Sequence, residues 1–332
     1  MIDQPQAVEH SFPESGRRVL SLIGRQEWLD RPSYRFENAL SFVFNAFGGA
    51  RNRVTNALNG VWLGHPAHAP LASLASGAIG TTLALDALHA VFGRPRHCPD
   101  PSRLAARALG LGILANLGAA VTGVTDWQHT HNQDRRIGLV HGVLNVAATA
   151  LYILSRRDRR RGRHLRAKVV STIGYGITTG SGYLGGALVF GSGIGTDRSG
   201  QRLSVPGWTP VLPATSLQDG QLQRVEINGV GLIVCRRGDT VAAVGEYCPH
   251  LAAPMADGWL DRGRIVCPWH GSQFDVQSGQ VIRGPAAAPI PCYEARVHHE
   301  MIELRSGTAD SVTTGRHEHL GDEKAATREA AQ

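Results

Sequence analysis

The chain has 332 residues, with 34 basic against 27 acidic for a net charge of +7, and 42% of it is hydrophobic. That length holds two domains of ordinary size, and the basic excess is mostly arginine, much of it in one run from Arg156 to Lys168. Such a run fits a membrane-flanking loop and speaks against a nucleic-acid surface.

Residues 1–33 are polar and mixed in charge, with no apolar run that would mark a cleaved secretory signal. From Tyr34 to Gly48, Phe36, Leu40, Val43 and Phe47 recur at helical spacing, with Phe42 and Phe44 beside them. This predicts an amphipathic helix lying on a membrane surface or against a bundle. After GVWLGHPAHAP at 60–70, where Pro66 and Pro70 end regular structure, apolar stretches follow at 71–92, 106–126, 138–154 and 169–193. Each approaches the ~20 residues that a helix needs to cross a hydrocarbon core. Gly110, Gly118 and Gly123 would let helix backbones approach closely. Moderate hydropathy keeps a soluble four-helix bundle as the competing reading, while the uninterrupted spans and arginine-rich connections favour the membrane.

Ionisable groups inside such spans are costly and often functional. His65, His68, Asp126, His129, His131 and His141 fall at the span ends on one side, with Asp86 and His89 toward the other. A haem b held by two histidines, with His68 and His141 best matched, and a quinone or further metal site are weighed here against interfacial hydrogen bonding and capping. The last is favoured.

Residues 194–210 are polar and punctuated by Gly and Pro, as in a linker. From 211 to 305 the short runs LQRVEI, GLIVCRR, VAAVGEY, RIVCP, CYEARV and MIELR alternate with turns, predicting an antiparallel all-β domain. The tail over 306–332 has the composition of a disordered segment. The expected order is therefore a polar segment with an amphipathic helix (1–64), a four-span membrane domain (65–193), a linker (194–210), a β domain (211–305) and a tail.

The β region carries Cys248-x-His250, then sixteen residues, then Cys267-x-x-His270. Two thiolates and two imidazoles in two Pro-containing loops can ligate a metal centre. A Cys2His2 zinc site usually takes two Cys from one loop and two His from one helix turn, whereas here each loop supplies one of each. The pattern resembles a Rieske [2Fe–2S] site, in which the two cysteines hold one iron and the two histidines the other. The resemblance implies Cys248, His250, Cys267 and His270 as ligands. Ser272 stands where high-potential Rieske proteins place a hydroxyl bonded to a bridging sulfide. Phe274 stands where they carry a tyrosine bonded to a cysteine sulfur, so one donor of the two is kept. Leu251, Pro254, Pro268 and the Gly284–Ala286 run with Pro285 resemble the apolar lids that limit water around the cluster. The extra loop cysteines that form a disulfide in respiratory Rieske proteins are absent, as in the ferredoxin-type relatives. The remaining Cys98, Cys235 and Cys292 read as isolated thiols.

GVWLGHPAHAP, GVTDWQHTHNQDRRIGLVHGVLN and GYLGGALVFGSGIG give residues 35–197 a second resemblance. It is to an uncharacterised bacterial membrane-domain family found fused to Rieske domains, whose fourth span often has a histidine where Ala187 stands here. Together these imply an all-α four-helix transmembrane bundle followed by an all-β Rieske domain. The expected function is membrane-anchored electron transfer with a redox partner protein or a quinone, the cluster histidines exchanging protons with oxidation state. The competing functions are the electron supply of a Rieske-type oxygenase system and a redox-sensing or structural membrane protein. A stand-alone oxygenase would need a mononuclear iron in a further large domain. Arginines near the span ends number six on the linker side (Arg51, Arg53, Arg135, Arg136, Arg198, Arg202), against twelve basic residues on the other. The positive-inside rule then places the Rieske domain outside, and SRRDRRRGR at 155–163 suggests a twin-arginine export route for a folded domain.

Overall fold

The computed structural model describes residues 13–93, 100–204 and 207–306. Cys98 and the expected disordered tail from Gly307 onward lie outside the described residues. The chain parts into two compact units between Gly195 and Thr196.

The first unit is helical, with seven α-helices among the described residues: α1 (Glu14–Gly24), α2 (Asp30–Asn45), α3 (Arg51–Asn59), α4 (His68–Phe92), α5 (Pro101–Trp127), α6 (Asn132–Arg160) and α7 (His164–Gly186). Local chemistry sets their ends. Asp100 caps α5 by accepting the Ser102 N–H at 2.9 Å, with Pro101 pre-set at the first helical position. Gly60 ends α3 at φ +81°, where a Cβ would lie 2.2 Å from the His65 carbonyl, so only glycine fits that turn. α4 packs along α5 and α6 along α7, and Ile79, Leu109, Ile113, Ala148 and Tyr152 fill the space between helices.

Three of these helices, α4, α5 and α6, are long and apolar enough to cross a membrane. The fourth expected span corresponds to α7, which is not among them: Arg166 and Lys168 open it, and Ser, Thr and Gly occupy much of the rest. The glycines expected to bring backbones together receive side chains instead. A Cβ on Gly110 would meet the Arg156 guanidinium at 1.9 Å, and one on Gly123 would meet the His68 ring at 2.7 Å. The bundle's outer surface exposes large apolar side chains such as Leu114, Val146 and Ile173, while Thr82, Asp86, Arg135, Ser155, Arg159 and Ser181 are buried.

Arg135 holds the N-terminal helices to this bundle. It is fully buried and donates to Ser33 Oγ at 3.0 Å, Thr130 O at 3.0 Å and Glu37 Oε2 at 2.6 Å, with its guanidinium over the rings of Tyr34 and Trp127. Its neighbour Arg136 grips Asp30 with two hydrogen bonds and donates to Gly24 O. The amphipathic helix expected from Tyr34 begins earlier, at Asp30. It buries Phe44 and leaves Phe36 and Phe42 exposed.

The second unit is all-β. A six-stranded antiparallel sheet has the order β1-β10-β9-β4-β3-β2, built from β1 (Thr209–Pro213), β2 (Leu222–Ile227), β3 (Val230–Arg237), β4 (Thr240–Gly245), β9 (Cys292–His298) and β10 (Met301–Ser306). A four-stranded sheet runs β5 (Trp259–Asp261), β6 (Arg264–Val266), β7 (Gln273–Asp275) and β8 (Val281–Arg283). Part of the stretch read as a linker packs onto this unit: the Arg198 N–H donates to Pro249 O at 2.9 Å, and buried Leu203 donates to the Tyr293 hydroxyl at 3.0 Å.

Candidate metal centre

Two loops carry the Cys/His motif, one between β4 and β5 and the other between β6 and β7, and they fold alike. In the first, the Ala252 N–H donates to Cys248 O at 2.9 Å and the Cys248 N–H donates to Ala253 O at 2.9 Å. In the second, the Gly271 N–H donates to Cys267 O at 3.1 Å and the Cys267 N–H donates to Ser272 O at 2.8 Å. The residue four after each cysteine is left-handed, at φ +58° for Ala252 and +70° for Gly271. Glycine takes this conformation at no steric cost and alanine does not. Ala252→Gly is therefore expected to be neutral or stabilising and Gly271→Ala to cost about 1 kcal/mol in a denaturant melt. The reverse order would mean the loops do not share this turn.

The turn folds the main chain round each sulfur. Cys248 receives hydrogen bonds from the backbone of His250 and Leu251, and Cys267 from that of His270 and Trp269. Both sulfurs are buried in one core with Met255, Ile265, Phe274 and Ile290. The two thiols are free and share a hydrogen bond. That contact, with burial, pushes the Cys248 thiol up and draws Cys267 down. The His250 and His270 rings meet edge to face with centroids 5.1 Å apart. Burial, then the nearby His270, holds His250 down to about 3, which keeps it in the neutral form that ligates metals.

This donor set fits a two-iron cluster. Two imidazole nitrogens each about 2 Å from one ion, at bond angles near tetrahedral, put ring centres about 5 Å apart, as found. A cluster of two irons asks each for only two protein donors, which the two cysteines and the two histidines supply in pairs.

The other expected site residues surround these four. Ser272 is fully buried, and its Oγ accepts the Ala286 N–H at 3.0 Å, leaving the hydroxyl proton to donate elsewhere. Phe274 is fully buried beneath the cysteines, Pro285 is buried and Leu251 half-buried. Ser272→Ala should lower the cluster's potential and orphan the Ala286 N–H at a cost of about 1–3 kcal/mol. Phe274→Tyr should raise the potential. Shifts of opposite sign in protein-film voltammetry would show that these donors do not face the cluster. Cys235 and Cys292 are free thiols, as expected, and burial raises Cys235 to about 11, which leaves it unreactive near neutrality.

The two histidines best matched for a haem, His68 and His141, are engaged by protein groups. His68 Nδ1 meets Ala119 O and His141 Nδ1 meets Ser181 O, each at 2.8 Å, so each Nδ1 carries the proton. Nε2 of His141 then accepts from the Asn145 amide at 3.1 Å, which occupies the lone pair a haem iron would need. Asp86 makes a buried, two-pronged ion pair with Arg159, a partner that local sequence spacing did not indicate.

Comparison with known proteins assigns both parts of the chain. Residues 207–294 match the Rieske [2Fe-2S] domain, and residues 64–198 match a predicted membrane protein domain, DUF2231. Apoptosis-inducing factor 3 of Mus musculus is 30% identical over 27% of this chain, which spans only 15% of that relative's length. Ferredoxin CarAc of Metapseudomonas resinovorans is 34% identical over 27% of this chain and 85% of its own. Among solved structures, the complex of reduced oxygenase and oxidized ferredoxin in carbazole 1,9a-dioxygenase has a chain 31% identical, covering 30% of this chain and 96% of its own with a TM-score of 0.29. Through its C-terminal domain the chain belongs to the Rieske [2Fe–2S] iron–sulfur family, with a DUF2231 predicted membrane domain preceding it.

Proposed function

We propose that this chain is a membrane-anchored electron-transfer protein in which Cys248 and Cys267 hold one iron and His250 and His270 the other. The matched pair of turns, which brings two sulfurs and two imidazoles together, is the observation that carries the assignment. When bound, the cluster takes up and releases one electron. The chain's own residues set how readily. Main-chain donors on both sulfurs and the Ser272 hydroxyl favour the more negative state, while Leu251, Phe274 and Pro285 limit water. Trp269, 46% exposed and edge to face with His270, offers a contact surface to a redox partner protein or a quinol.

The apolar exterior and polar interior of the helical unit support a bilayer as its solvent. We take α7 as the fourth span: Ser171 and Ser181 are buried against its neighbours, and the exposed Thr172 and Thr179 hydroxyls donate to carbonyls of their own helix. The same arginine asymmetry puts the Rieske domain on the external face, and a reporter fused after Arg305 should read external. A cytoplasmic reading would overturn that orientation.

Similarity to ferredoxin components of naphthalene dioxygenase systems favours a second reading, electron supply to an oxygenase. Purified full-length protein is expected to show a Rieske EPR signal and to be reduced by quinol in membranes faster than by a soluble ferredoxin reductase. Faster reduction by the reductase would favour the oxygenase reading. Lack of the signal after iron and sulfide reconstitution would overturn both.

A further inference from the structure

The arginine-rich ends of α5 and α6 and the start of α7 enclose a cleft of about 410 Å³, lined by Arg103, Arg107, Arg156, Arg159, Arg160 and His164, with Asp100 at its edge. The sequence dictates the clustering. Arg103 and Arg107 stand one turn apart on α5, Arg156 and Arg160 one turn apart on α6, and like charges at that spacing repel. A guanidinium needs room here, and Gly110 supplies it by letting Arg156 lie against α5. Among the described residues, Arg159 alone of the five arginines is ion-paired, to Asp86. Asp100 is committed to capping α5. Both α5 and α7 begin at this cleft, so the positive ends of two helix dipoles add to the side-chain charge.

We propose that this cleft binds a phosphate-bearing anion, whose oxygens the guanidinium forks of Arg103, Arg107, Arg156 and Arg160 take. Planar guanidinium groups match phosphate oxygens in pairs, which a lone ammonium cannot do. Two sources carry this chemistry: the headgroup of an anionic phospholipid, which would lie at the depth where the helices end, and a soluble phosphate compound.

The test uses the full chain in phosphatidylcholine nanodiscs, with phosphatidylglycerol or inorganic pyrophosphate added, reading the thermal midpoint and the apparent affinity. The anion should raise the midpoint by mass action. R103Q/R107Q, both exposed positions, should weaken binding on the order of ten- to thirtyfold. R103K/R107K should recover part of the loss, and R51Q/R53Q should bind as the parent does. Should R103Q/R107Q fail to fold, R160Q alone should weaken binding about fivefold. A rise with phosphatidylglycerol alone assigns the site to lipid, and a rise with pyrophosphate assigns it to a soluble phosphate. No rise with either, or an equal loss in R51Q/R53Q, overturns the proposal.

Discussion

His270→Cys is expected to move the cluster's potential from the Rieske range, about −150 to +300 mV, toward the about −400 mV of [2Fe–2S] centres held by four thiolates. The cause is charge. A neutral imidazole exchanged for a thiolate makes the centre more negative, and adding an electron to it then costs more. Loop geometry decides whether the centre survives the change. His270 sits three residues after Cys267 in a turn closed by the Cys267 N–H on Ser272 O and by left-handed Gly271. A cysteine there reaches less far than an imidazole, so partial occupancy at a much lower potential, or complete loss, is the expected range. His250→Cys should act in the same direction, since its ring lies edge to face against that of His270. EPR and protein-film voltammetry of the purified full chain read the result. An unchanged Rieske signal at an unchanged potential in His270→Cys would remove that residue from the ligand set.

The cluster loops were legible because their chemistry is local: each Cys–His pair lies within four residues, and the Pro and Gly around them announce turns. That the loops share one turn was hidden, since alanine at position 252 gives no sign of a left-handed backbone that glycine at 271 declares. Short β-type runs marked the all-β unit, but not the pairing of β10 with β1, which closes one edge of the sheet from opposite ends of the domain. In the helical unit, hydropathy located the long helices and missed what joins them. Arg135 and Arg136 read as membrane-flanking charges on the linker side, yet both are committed to carboxylates on or beside α2, Glu37 and Asp30. Their partners stand about a hundred residues away in the chain, beyond any periodicity.

Arg159→Met is expected to destabilise the helical unit by about 3–5 kcal/mol, the cost of leaving a buried charge without its partner. Arg159 and Asp86 are 6% and 7% exposed, Arg159 Nη1 donates to Asp86 Oδ1 at 2.9 Å and Nη2 donates to Oδ2, so the pair clasps α6 to α4. Lys168 donates to the Asp86 carbonyl at 3.3 Å and brings α7 to the same point. Once the guanidinium is gone Asp86 keeps only the Lys168 ammonium nearby, which is engaged by the Asp86 main-chain carbonyl and cannot reproduce the two-pronged contact. Removing both charges should behave differently, because two apolar side chains of similar volume need no desolvated partner. Asp86→Leu combined with Arg159→Met should therefore recover most of the loss. The comparison is best made in phosphatidylcholine nanodiscs without added anion, since Arg159 also lines the arginine cleft, by following helix unfolding with denaturant in the parent, both single variants and the double. A single-variant cost below about 1 kcal/mol, or a double variant as unstable as the two singles combined, would show that the pair is not coupled across the helices.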